Sequence, residues 1–173
     1  MSSVLRAILI NTPRNIRQTG VSYIQKNPQQ LTNLIEMSFS NSQPEAWRAA
    51  WVLADLVKNN ILIREKIQVL SSNIVKRFKD FNSPGQIREF LKVVQYLDVN
   101  EEDMGLLIDL CFNWLLDRKA DQSFRVYSMQ IIFNYSKKEP DLLPELKAII
   151  EQEMEYALPG FKSRGKKILK LIG

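Results

Sequence analysis

Histidine is missing from all 173 residues, and cysteine occurs once, at Cys111. The first absence removes the commonest general base, the Ser-His and Cys-His catalytic couples and the commonest zinc ligand. The second leaves no internal disulfide, and the two together leave no ligand set for a structural zinc. Cys111 lies inside "LLIDLCFNWLL", which reads as a buried, inert thiol rather than a nucleophile. Catalysis, if any, would rest on Asp, Glu, Lys, Tyr or Arg. The chain has no Gly-rich phosphate loop, no metal-spaced carboxylate triad and no serine nucleophile motif, so no cofactor and no catalytic residue is expected. Apolar runs fall short of the roughly 18 residues a membrane span needs. The opening "MSSVLRAILINTPR" has no charged region ahead of its apolar run and no small-residue cleavage site, so it is not read as a secretory leader. The expectation is a cytoplasmic protein with neither membrane nor metal among its partners.

Glycine (6) and proline (7) are also few, and most of the prolines stand at joints between apolar runs. Apolar residues make up 45% and charged residues 25%, which is ordinary globular composition. The net charge of +5 permits an acidic or nucleic-acid partner without demanding one. Helical periodicity dominates. Leu31, Leu34, Ile35 and Met37/Ser38 follow a three-four spacing, as do Ile63, Ile67, Leu70, Ile74 and Phe78, and Met104, Leu107/Ile108, Cys111 and Leu115. Breaks fall at 11–13, 26–28, 42–44, 59–60, 83–85, 98–100, 119–121, 139–141 and 159–160, with segments of helical length between them, and the repeat period described below sets the expectation at about eight to nine helices in antiparallel pairs. Ser83-Pro84, Asn100 and Asp121 read as helix N-caps. No alternating run is bounded by hairpin turns, so the fold class is all-α, in a single domain over 1–173.

A longer rhythm overlies the helices. "EAWRAAWVLADL", "GQIREFLKVVQYL", "QSFRVYSMQIIFNY" and "FKSRGKKILKLIG" align on Arg48, Arg88, Arg125 and Arg164, at spacings of 40, 37 and 39 residues. Trp47, Ile87 and Phe124 precede the first three, Ser163 stands before the fourth, and "NIRQTGVSYI" at Arg17 is a weaker echo. A period near 40 with two helices per unit is the signature of an α-solenoid. The turn, Pro or Ser, then apolar-Arg and small residues toward a Leu in "NSQPEAWRAAWVLADL" resembles the second helix of a HEAT repeat. The resemblance covers about four units over 28–173, with a partial unit before them. It implies an α-α superhelix serving as a macromolecular, most often protein-binding, scaffold. It also implies that Arg48, Arg88 and Arg125 are structural, tying one repeat to its neighbour through an acid or a backbone carbonyl.

Two clusters are candidate binding surfaces. Trp47, Trp51, Asp55 and Lys58 recur at helical spacing on one face, opposite Ala46, Ala50, Leu53 and Val57. The tryptophans either fill the groove between adjacent repeats or, with a carboxylate one turn on, line the concave surface. DNA alkylpurine glycosylases of the HEAT-like class pair Trp with a carboxylate, so the alternative to a protein partner is a nucleic-acid binder with Trp51 and Asp55 at its site. The second cluster is Lys162, Arg164, Lys166, Lys167 and Lys170, five cations without an acid between them. Acids in "EEDMG" and "IIEQEMEY" break any continuous basic stripe, which leaves nucleic-acid binding weak at most.

Overall fold

The computed structural model describes residues 3–11 and 15–173; Thr12 and Pro13 of the first predicted break lie outside them. The described residues form eleven α-helices and one 3₁₀ turn, with no strand. The chain separates into two compact units, Met1–Val99 and Asn100–Gly173, and the boundary in sequence falls within the predicted break over 98–100.

The first unit is organised around one helix. Helices α1 (Ser3–Asn11), α2 (Ile16–Lys26), α3 (Leu31–Phe39), α5 (Ile61–Gln68) and α7 (Pro84–Val94) all pack on α4 (Glu45–Asn59). That many neighbours require small residues. Ala46, Ala49, Ala50 and Ala54 let the partners approach, while Val52, Leu53, Leu56 and Val57 fill the remaining space. On α2, Gly20 admits Val52: a Cβ at position 20 would fall 2.6 Å from Val52 Cγ2. Phe39, Phe78, Phe81 and Phe90 build an aromatic cluster, with the Phe81 and Phe90 rings stacked at 4.8 Å. Gln86, fully buried, donates from Nε2 to the carbonyls of Ser38 (2.6 Å) and Ser40 (3.0 Å), which ties the end of α3 to α7.

The predicted helix over "IREKIQVLSSNIVKRF" is two helices, α5 and α6 (Ser71–Lys76). The interruption falls at Val69 and Leu70, which form a turn, and α6 restarts at Ser71. Gln68 closes α5 by a two-way bond, donating to Asp98 O and accepting from Asp98 N. Val69 is left 83% exposed at the bend. This split, together with two short helices at the start, accounts for eleven helices where eight or nine are predicted. Asn60, at the predicted break over 59–60, caps α5 by accepting from the backbone of Leu62 and Ile63.

The second unit contains α8 (Glu101–Leu116), α9 (Gln122–Tyr135), α10 (Leu142–Glu153) and α11 (Pro159–Ile172), with α9 in contact with the other three. Asn100 and Asp121 cap α8 and α9 through the backbone of Asp103 and Ser123. Ser83, by contrast, occupies the N-cap position of α7 without a side-chain capping bond. Gly165 on α11 meets α10 closely: a Cβ there would lie 2.9 Å from Ile150 Cγ2. Cys111 is fully buried, and its thiol is pushed up to about 12 by that burial. Such a thiol is unreactive while the protein is folded.

Arginines close the carbonyl ends of helices in both units. Arg48 Nη1 donates to Leu9 O (2.8 Å) and Ile10 O (3.2 Å) at the end of α1, and Arg77 Nη2 donates to Phe39 O at the end of α3. Arg64 reaches Val57 O and Lys58 O at the end of α4, and Arg125 reaches Leu115 O at the end of α8. A guanidinium suits this place because it supplies forked donors and positive charge where the helix has unpaired carbonyls and partial negative charge.

Arg88 departs from this pattern. Its Nε donates to Glu89 Oε1 (2.9 Å) on its own helix, so it ties no repeat to another. The cause is its neighbour: Glu89 is 1% exposed and draws both Arg88 and Lys92 to its carboxylate. The expectation of an inter-repeat bond at Arg88 is corrected accordingly. Arg48→Ala should cost about 1.5–3 kcal/mol, the range for hydrogen bonds involving a charged group. Arg88→Ala should cost less than about 1 kcal/mol, because Lys92 still neutralises Glu89. Urea unfolding of the two variants side by side checks the difference; equal losses would refute it.

Candidate functional site

Helix α4 buries every side but one. Trp47, Trp51 and Asp55 are half-buried and Lys58 is exposed, so the four residues of the predicted stripe share the solvent-facing side. The Trp47 and Trp51 rings stack at 5.9 Å. Trp47 also lies against α7, where Gly85 leaves room for it: an added Cβ would sit 3.3 Å from Trp47 Cγ. Trp47 packs against α7 at Gly85, and both tryptophans are half-buried.

Cations flank both rings. Arg48 Cζ lies 5.5 Å from the centre of the Trp47 ring and Arg17 Cζ lies 5.8 Å from that of Trp51. Arg17 Nη1 also stands 3.9 Å from Asp55 Oδ1. Arg17, noticed in the sequence only as an echo of the repeat, completes the face from α2. The signal for it was the same apolar-Arg step, "NIR", that marks the other repeats. Glu45 begins the helix and is buried. Its carboxyl is held below the ordinary value by hydrogen bonding to the backbone at the helix start, and then by Arg6, whose Nη2 lies 3.1 Å away.

The basic cluster of α11 divides. Arg164 Nη1 donates to Gln130 Oε1 on α9, and Lys162 Nζ donates to Glu155 O. Both are engaged in holding α11 against its neighbours. Lys166, Lys167 and Lys170 are exposed, and Lys166 and Lys170 stand one turn apart on the same side as Lys162. Three free ammonium groups on one short helix neutralise few phosphates.

Among the described residues no group of His, Cys, Asp and Glu could hold a metal ion, and no helix is long and apolar enough to cross a membrane. The family model for the HEAT repeat domain matches residues 11–172. The chain belongs to the HEAT repeat family. Its all-α architecture fits that class, whose members generally serve as protein-binding scaffolds and are typically non-catalytic. No curated protein and no solved structure gives a significant match.

Proposed function

We propose that the protein is a scaffold that binds another protein through the outward face of α4. The observation that carries this reading is the pair of half-exposed tryptophans, each with an arginine over or beside its ring. Trp and Arg are the residue types over-represented where protein–protein binding energy concentrates, because each gives a large, stiff contact area with a polar edge. Lys58 and Asp55 form a charged border to the pair, the arrangement of an apolar centre with a polar rim. The alternative, a nucleic-acid binder centred on Trp51 and Asp55, has less support. Asp55 faces the Arg17 guanidinium, which already offsets its charge, and the exposed lysines of α11 are only three.

Affinity capture from the native cell extract, with and without nuclease, tests the proposal. A protein captured by the wild-type chain in both conditions should be lost from Trp51→Ala while the circular dichroism of that variant stays unchanged. Capture that disappears on nuclease treatment would instead favour the nucleic-acid reading.

A further inference from the structure

The second unit contains a cleft of about 160 Å³ lined by residues of the α8–α9 connection, α9, and the segment between α10 and α11. At its base Glu153 accepts from two arginines, Arg118 (Nη2–Oε1 2.7 Å) and Arg125 (Nη2–Oε2 2.9 Å). Arg125 is 5% exposed, and it is held rigidly by Leu115 O and by the Phe161 ring 4.8 Å from its Cζ. The bonds within the chain use only Nε and Nη2 of each arginine, so Nη1 of both remains unspent. Gln122, also lining the cleft, has a buried Nε2 amide with no acceptor among the described residues. A buried donor without an acceptor costs stability unless a ligand or solvent supplies one. Two unspent Nη1 donors on residues lining one concavity, with a buried amide lacking an acceptor beside them, suit an anion.

Charge and surroundings specify which anion. Two guanidinium groups and one carboxylate leave a single net positive charge. A phosphate ester carries nearly two negative charges at neutral pH, and the carboxylate of Glu153 would repel the second. A carboxylate carries one. Two large apolar side chains also flank the cleft in the open: Tyr156 is 67% exposed and Leu158 is 60% exposed. We propose that this cleft receives the side-chain carboxylate of an acidic peptide segment, with a neighbouring apolar residue of that segment resting on Tyr156 and Leu158. The site is separate from the α4 face and shares with it only the premise that the ligand is a protein.

The test is fluorescence anisotropy of the purified chain with a labelled, end-capped peptide alternating glutamate and leucine. A peptide with glutamine in place of glutamate should bind at least about tenfold more weakly, the loss expected for one charge-assisted hydrogen bond. Arg118→Gln, at an exposed position, and Tyr156→Ala, on the rim, should each weaken binding several-fold without altering the circular dichroism. Inorganic phosphate should compete no better than chloride at equal ionic strength. The proposal is overturned if the glutamate peptide shows no binding at millimolar protein, or if the glutamine peptide binds equally well. Binding by both variants as by wild type, or displacement by millimolar phosphate, would also overturn it. No cellular partner enters this measurement, so its outcome is independent of the α4 capture experiment.

Discussion

Arg125→Ala should lower the free energy of unfolding by about 3 kcal/mol, the cost of removing one partner from a buried ion pair. The side chain is 5% exposed and serves two acceptors at once, Leu115 O at the end of α8 and Glu153 Oε2 on α10. Truncation leaves a carbonyl and part of a carboxylate without their donor in a buried place. Arg125→Lys should recover little, because one ammonium cannot reproduce the fork that spans both acceptors. The same cluster makes the protein acid-sensitive. Arg118, and then Arg125, hold the Glu153 carboxyl below its ordinary value of 4.5 against the opposing effect of burial. The unfolded chain therefore takes up this proton at a higher pH than the folded one. The stabilisation is complete above the ordinary value and is lost as pH falls through the depressed folded-state value. Urea midpoints measured from pH 6 down to pH 3 should fall for the wild type and fall less steeply for Glu153→Gln. An Arg125→Ala midpoint equal to that of the wild type at neutral pH would show that the cluster contributes nothing to stability.

Phe90→Ala should be at least as damaging, at about 3–5 kcal/mol. Phe90 is fully buried, stacks on Phe81 at 4.8 Å and meets Phe39 at 4.9 Å. Its removal would open a cavity between α3, α7 and the segment after α6, and aromatic neighbours held by helices on several sides collapse poorly into such a space. A thermal midpoint lower by on the order of 10 °C is the corresponding shift for a chain of this size. Phe90→Leu should recover more than half of the loss by refilling most of the volume. A melt of Phe90→Ala within a degree or two of the wild type would show that the aromatic cluster is loosely packed.

Much of the architecture can be read from periodicity because the repeat is carried by chemistry as well as by apolar spacing. Arg48 and Arg125, 77 positions apart, both reach the carbonyl end of an earlier helix, which is why an apolar-Arg step recurs with the period of a helix pair. Arg88 shows the limit of that inference. One acidic neighbour, Glu89, redirects its guanidinium, and alignment of the arginines alone does not reveal which acceptor each one finds. The α4 stripe is visible as four positions on one helical face, yet nothing in the spacing brings Arg17 to Trp51, since that contact depends on how α2 packs on α4. The Glu153 cluster was hidden for a related reason. "IIEQEMEY" looks like a solvated acidic run, but Glu153 stands in register with the buried Leu146, Ile150 and Ala157. An acid on an apolar register implies a cationic partner. Its partners lie 28 and 35 residues away, and only the packed structure identifies them.

If the exposed side of α4 contacts a protein, in-cell photo-crosslinking from that face will capture it. A photoreactive residue placed at Lys58, exposed at the end of the Trp47–Trp51 stripe, reports what lies against it without relying on capture from an extract. The same residue at Lys137, exposed in the other unit, serves as the reference position. The expected result is a discrete, nuclease-resistant protein adduct from position 58, weak or absent from position 137 and abolished by Trp51→Ala. Adducts to nucleic acid alone, or an identical pattern from both positions, would contradict it.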